Sequence, residues 1–263
     1  LTNYIVGRVQ KDFNERNSFI GGIFTATNRN IPDNLDFLRS SAYTGGVDFK
    51  HSWKNRNYYV EGNIVGSHIT GSQQAIERTQ NSITHLFQRV DASHVDVDPD
   101  RTSLTGSGGK LALGKAGGGN WRYDGGVIWR SPELELNDIG FLRQADEIKQ
   151  TANVRRLFIK PTNFYRRANL GLSQYSTFDF DGNYNRIQYE FQGFINYKNN
   201  WWTEVGAAHK PRIFSNTVLR GGPRWRWSDE NFAYLFFGSD SRKKMSFTLG
   251  YVNSRAAENN FSL

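Results

Sequence analysis

The sequence predicts an all-β fold: an antiparallel up-and-down transmembrane β-barrel, of which this chain supplies about 13 strands, with long extracellular loops. Three observations predict it. Side chains alternate with a period of two, connections alternate between short and long, and the composition is poor in aliphatics but rich in aromatics. Hydrophobic residues make up only 37% of the 263 residues, while 19 Phe, 12 Tyr and 7 Trp bring the aromatics to 14%. A soluble domain needs more apolar side chains to fill its core, and a disordered chain carries fewer aromatics. A barrel with an apolar outside and a wet inside accommodates both figures.

The alternation is cleanest over residues 186 to 197. Ile187, Tyr189, Phe191, Gly193, Ile195 and Tyr197 fall on one face. Arg186, Gln188, Glu190, Gln192 and Asn196 fall on the other, with Phe194 the exception. Only a strand separates these sets cleanly. The same pattern recurs at Tyr58, Val60, Gly62, Ile64 and Gly66, and at Met245, Phe247, Leu249 and Tyr251. Strands are predicted at 3–13, 18–28, 41–53, 57–70, 106–115, 120–130, 151–161, 165–178, 184–198, 201–211, 217–228, 231–238 and 243–254. Short joints at 14–17, 54–56, 116–119, 162–164 and 199–200 are interleaved with longer ones at 29–40, 71–105, 131–150, 179–183 and 212–216. An outer-membrane barrel sorts its joints this way, with tight turns on one rim and long loops on the other.

Aromatics gather near strand ends: Trp53, Tyr58, Trp121, Trp201, Trp202 and Trp225 are expected at the membrane interface. No run approaches the roughly 18 apolar residues of a membrane helix. The chain contains no Cys, which excludes disulfide frameworks, zinc ribbons and thiol catalysis. Its net charge of +8 is spread along the chain without a dense basic block, so no nucleic-acid partner is expected. The first and last residues already read as strand, and the chain is expected to be a single incomplete barrel domain over 1–263.

Within the long connection 71–105, Ile76, Ile83, Leu86, Phe87 and Val90 recur at helical spacing, predicting an amphipathic helix over 73–90. That segment is expected to pack on the barrel wall, enter the lumen or bind a partner. Asp96, Asp98 and Asp100 alternate in the 94–100 loop and are weak candidates for calcium, since the EF-hand glycine and bidentate Glu are missing. Arg155 and Arg156, Arg166 and Arg167, and Arg212, Arg220, Arg224 and Arg226 are candidates to line a lumen that favours anions. Glu133 and Glu135 are close enough in sequence to raise glycoside hydrolysis, which needs a set spacing across the scissile bond. Ser103 and Ser107 lack a nucleophile elbow, and the glycine clusters 106–109 and 117–119 lack the context of a phosphate loop. No catalytic residue emerges, and a non-enzyme is favoured over an enzyme.

Two segments carry a family resemblance: Val97-Asp98-Pro99-Asp100-Arg101-Thr102-Ser103-Leu104-Thr105-Gly106 with the Gly-rich residues that follow and Trp121, and Ser131-Pro132-Glu133-Leu134-Glu135-Leu136-Asn137-Asp138-Ile139-Gly140-Phe141-Leu142. Both resemble an uncharacterised family of Bacteroidota outer-membrane proteins, domain of unknown function 5916, most strongly over residues 40–150. The resemblance implies a barrel in the bacterial cell outer membrane, usually preceded by a carbohydrate-binding-like domain, and no established reaction. Expected partners are outer-membrane lipid, other outer-membrane or periplasmic proteins, and glycans. The expected function is a transport, export or assembly component within a multiprotein complex. The alternatives are a membrane anchor for a glycan-binding surface domain and, less favoured, a barrel-embedded hydrolase.

Overall fold

The computed structural model describes residues 1–211 and 213–256. Ten long strands follow in order: β1 (Thr2–Phe13), β2 (Ser18–Arg29), β3 (Ser41–Trp53), β4 (Tyr58–Thr70), β5 (Ser103–Lys115), β6 (Trp121–Arg130), β7 (Glu147–Phe158), β8 (Tyr165–Phe178), β9 (Tyr184–Tyr197) and β10 (Trp202–Lys210). Then come a short ribbon of β11 (Ile213–Ser215) and β12 (Trp225–Trp227), and two last strands, β13 (Glu230–Gly238) and β14 (Thr248–Ala256). One α-helix among the described residues, α1 (Gln73–Gln80), lies between β4 and β5. The fold is all-β, as expected. Its twelve-stranded sheet is an antiparallel meander in which each long strand pairs with the next; β10 pairs β13, and β1 and β14 are the edges.

The predicted strand over 217–228 does not form; only Trp225–Trp227 is extended, as β12. Arg220 and Gly221 take left-handed φ values of 48° and 113°, and Pro223 follows. Such residues cannot continue a pleated ladder. With no strand over 217–228, β10 and β13 are joined by one long connection, and joint length sorts less cleanly than the sequence suggested, since 239–247 is longer than 179–183 on the opposite rim. Joints 14–17, 54–57, 116–120, 159–164, 198–201 and 239–247 lie on one rim, and 30–40, 71–102, 131–146, 179–183 and 211–229 on the other. Other strand boundaries move as well: β5 starts at Ser103, β7 runs over Glu147–Phe158, and β14 starts at Thr248.

The tight rim is built from left-handed residues. Asn14, Glu15 and Arg16, and likewise Lys54, Asn55 and Arg56, have φ between 49° and 61°. Asn17 N–H then donates to the Asn14 carbonyl at 2.9 Å, and Arg56 Nε to Asn17 Oδ1 at 2.7 Å, tying adjacent turns together. Asn tolerates this backbone region better than other L residues.

Register gives the sheet two chemically distinct faces. Val47 pairs Ile64, and beside them Asp48 pairs Asn63 and Lys50 pairs Glu61. Across β4 and β5, Val60 meets Leu113 while Asn63 meets Lys110. One face is apolar, and its large aliphatics are exposed: Val47 57%, Ile64 56%, Leu113 58%, Leu172 58%. The opposite face is a lattice of charge. Lys50 and Lys110 both reach Glu61, at 3.1 and 2.7 Å; Arg8 pairs Asp48 at 2.9 Å; Arg130 pairs Glu147.

The buried hydrophobic clusters lie where the long connections meet the polar face. Ala42, Ile69 and Leu104 are cross-strand partners on that face and pack against Ile76 and Phe87 of the 71–102 connection. Leu134, Leu142 and Ala145 of the 131–146 connection pack with Val65. The exposed apolar face has no such covering layer among the described residues.

Candidate functional site

The long connections fold back over the polar face and form a cap there, held by buried ion pairs. The cap starts at α1. Ser72 caps it: the Ser72 hydroxyl accepts from Ala75 N–H at 3.1 Å and donates to the Asp36 carbonyl at 2.6 Å, linking two long connections. The helix is shorter than the predicted 73–90. Asn81 ends it, Leu86 takes a left-handed φ of 53°, and Ile83 and Val90 are exposed. The chain beyond it winds in turns that bring His85, Arg89 and His94 inward.

The second layer is residues 131–146. Its approach depends on Gly106: a Cβ there would lie 2.1 Å from the backbone nitrogen of Leu134. Glu135 N–H donates to Ser67 Oγ at 3.0 Å, so the loop is bonded to the sheet itself. Glu135 is buried, and Asn137 N–H, Arg39 and His85 surround its carboxylate. His85 Nε2 lies 3.0 Å from Glu135 Oε2, and its Nδ1 lies 2.7 Å from the Pro132 carbonyl oxygen. Both ring nitrogens thus face oxygen acceptors. Arg39 reaches Glu135 at 2.9 Å and Asp138 at 3.1 Å, and Arg29 reaches Asp138 at 2.7 Å. The Asp138 contacts are ion pairs by distance; neither carboxylate oxygen is aligned for a hydrogen bond.

Burial alone pushes the Glu135 carboxyl up. The hydrogen bond from His85, the Arg39 charge and the Asn137 N–H overcome it and bring the carboxyl down to about 2. Glu135, Arg39 and Asn137 line a cavity of about 350 Å³ with Arg29, Arg78 and Phe37, the Arg78 guanidinium lying over the Phe37 ring at 4.9 Å.

A second cluster joins the next connections. Arg89 pairs Asp146 at 3.1 Å and lies 3.9 Å from Asp179, with all three side chains almost wholly buried. His94 Nε2 lies 2.8 Å from Asp146 Oδ1, which also accepts Phe180 N–H at 2.9 Å. Ser93 Oγ lies 2.8 Å from both oxygens of Asp181, and its hydrogen bond holds that carboxyl below its ordinary value. Arg224 closes the ring: its N–H donates to Asp91 at 2.7 Å, and its guanidinium lies 5.0 Å from the Phe214 ring centre. Five connections of one rim are thereby cross-linked without any strand pairing between them.

The model of the family described as Domain of unknown function (DUF5916) matches residues 1–262. The chain belongs to this family. Comparison with curated proteins finds no match.

The residues singled out in the sequence meet different fates in this member of the family. Trp53, Tyr58, Trp121 and Trp201 all sit at the tight-turn rim, where Trp53 stacks on Tyr58 and Trp201 packs on Phe237. Trp202 is at the same rim but on the polar face, stacked on Phe194. Trp225 is not at that rim; it lies in β12, within a long connection.

Arg155 and Arg156 do not share a wall. Successive residues of a strand point to opposite faces; Arg155 pairs Arg122 on the polar face, while Arg156 pairs Trp121 on the apolar face and lies over its ring at 5.3 Å. Arg224 and Arg226 belong to the cap and not to the sheet wall. Arg220 lies in the same connection, Arg166 and Arg167 stand at the tight-turn end of β8, and Arg212 lies outside the described residues.

Asp96, Asp98 and Asp100 do not converge, and no group of three or more metal-binding side chains occurs among the described residues. Asp98 Oδ1 accepts Asp100 N–H at 3.0 Å, and Gln80 brackets the Asp98 backbone. The Glu133 and Glu135 pair is divided: Glu133 binds Arg101 at 2.7 Å while Glu135 is locked to Arg39 and His85. A carboxyl held at about 2 does not serve as a general acid near neutral pH.

The cap residues Arg29, Arg39, His85, Arg89, Asp138 and Asp146 went unmarked as a site in the sequence. The available signal was Leu134-Glu135-Leu136, an acid enclosed by leucines in a loop too apolar to be simply solvated.

Proposed function

We propose that this chain forms part of the wall of a bacterial outer-membrane β-barrel and acts as a transport, export or assembly component, with the cap controlling passage along the polar side. One observation carries the reading: the exposed apolar face and the loop-covered polar face belong to the same sheet, with the four longest joints all on one rim. Lipid replaces the missing apolar layer, and the polar face becomes the lumen. From Trp53 to Tyr43 the apolar face of β3 spans roughly 33 Å at about 3.3 Å per residue. At a tilt of roughly 40° that covers about 25 Å of bilayer, the height of the apolar band in such barrels. On this reading the edges of β1 and β14 pair with strands outside the described sheet, because hydrocarbon tolerates no open edge. Arg156 then extends from the lipid face to the interface beside Trp121.

The Bacteroidota setting rests on the family resemblance, and a complex with other outer-membrane or periplasmic proteins is part of the same proposal. The density of buried ion pairs in the cap favours one second reading, a closed barrel that anchors a glycan-binding surface domain. Fractionation and planar-bilayer recording of the full-length protein separate these. Outer-membrane residence with conductance that rises when Glu135 and Arg89 are substituted supports gated passage. Residence without conductance in either form supports the anchor. Recovery in the aqueous fraction without detergent refutes both.

A further inference from the structure

The apolar face is not uniform. A groove of about 730 Å³ opens on it across β7 to β10, β13 and β14. Its floor is the cross-strand pair Ala207 and Ala233. Phe191 pairs Ala207, and Leu172 pairs Phe191, so the same row rises from two methyl groups to two bulky side chains. One row toward the tight turns, Val205 and Leu235 end the groove. One row toward the long connections the chemistry changes: Gln174, Tyr189, His209, Asn231 and Arg255 are partners in turn across five strands. All five line the groove. His209 Nδ1 lies 2.8 Å from Asn231 Oδ1. Arg255 is exposed and forms no ion pair with any described residue.

A guanidinium with no ion-pair partner among the described residues, at the polar end of a short hydrocarbon-lined groove, matches a ligand with an anion at one end and a hydrocarbon chain at the other. The groove has the volume of a small-molecule site. It stops at Val205 and Leu235, so it is too short to receive a spanning segment of a partner, which needs small residues along its whole contact. We propose that this groove holds one phosphate-bearing lipid of the surrounding bilayer, an acyl chain over Ala207 and Ala233 and the phosphate at Arg255. The proposal rests on the membrane reading above, and its failure is separable from the failure of that reading.

The test is native mass spectrometry of the full-length protein in detergent, titrated with phosphatidylglycerol and with a diacylglycerol of the same chains. The wild type retains one phosphatidylglycerol and prefers it about fivefold, the contribution of one arginine near a headgroup. Arg255→Gln removes the preference, and Ala233→Leu weakens retention of both lipids, with strand content by circular dichroism unchanged. If Ala233→Leu does not fold, the exposed Arg255→Gln decides alone. Equal retention of the two lipids, or retention unchanged in Arg255→Gln, overturns the proposal. A co-purifying protein displaced by these variants, with no lipid retained, assigns the groove to a protein and also overturns it. Membrane-inserted protein that retains no lipid refutes this inference only; protein soluble without detergent refutes the membrane reading itself.

Discussion

His85 Nε2 lies 3.0 Å from Glu135 Oε2, joining two connections whose residues stand 50 positions apart in sequence. No strand pairing holds those connections together, so this contact and its neighbours decide whether the cap stays closed. Glu135 is also paired to Arg39 at 2.9 Å, and removing one member of a buried ion pair costs about 3–5 kcal/mol. Glu135→Gln is therefore expected to release residues 71–102 and 131–146 while leaving the sheet paired. Hydrogen exchange checks this: faster exchange confined to those two segments is the expected outcome, and uniform protection refutes it.

Acid should open the same contact. The Glu135 carboxyl has an ordinary value of 4.5 and is held at about 2 in the folded cap. A depressed value means the ionised form favours the closed cap. Its contribution, about 3 kcal/mol, is fully present above pH 4.5 and is lost as pH falls toward 2. Protease access to residues 131–146, followed against pH, should rise across that window. In Glu135→Gln the rise should be reduced.

Gly106 makes the close approach of the loop possible, since the Leu134 backbone occupies the space of its missing side chain. Gly106→Ala is expected to push the 131–146 connection off the polar face at a cost of about 1–3 kcal/mol. Exchange at the Glu135 N–H, bonded to Ser67, reads this directly. Native-like protection there would count against the packing described.

The N-cap offers a smaller perturbation. Ser72→Ala removes the acceptor for Ala75 N–H and the donor to the Asp36 carbonyl, and about 1 kcal/mol is expected to go from α1. Exchange should quicken in Gln73–Gln80 and stay unchanged in the Arg89–Asp146 cluster.

The assignment of faces is tested by a matched pair of charges. Val47→Arg, at the middle of the apolar face, is expected to cost about 2–4 kcal/mol when the full-length protein folds into liposomes. Asn63→Arg, on the polar face, should change it by no more than about 0.5 kcal/mol. Equal effects would mean that lipid does not contact the Val47 face.

Much of the architecture was already legible along the chain. The alternation around Ile187 to Tyr197 placed β9 and its two faces, and the sorting of joints placed the two rims. These are local properties: a pleat sends neighbours to opposite sides whatever the rest of the chain does. The strand expected over 217–228 failed because the alternating Trp225, Arg226 and Trp227 outweighed the break at Gly221, Gly222 and Pro223.

The amino-acid sequence by itself determined an all-β meander with one apolar and one polar face. Tertiary structure alone decided where the long connections go and which charges meet. Arg39 with Asp138, Arg89 with Asp146 and His85 with Glu135 come from separate connections, and no spacing rule pairs residues so distant. Their positions follow from the docking of Ile76, Phe87, Leu134 and Leu142 on one end of the polar face. Once those side chains exclude water, each buried charge requires a partner within reach.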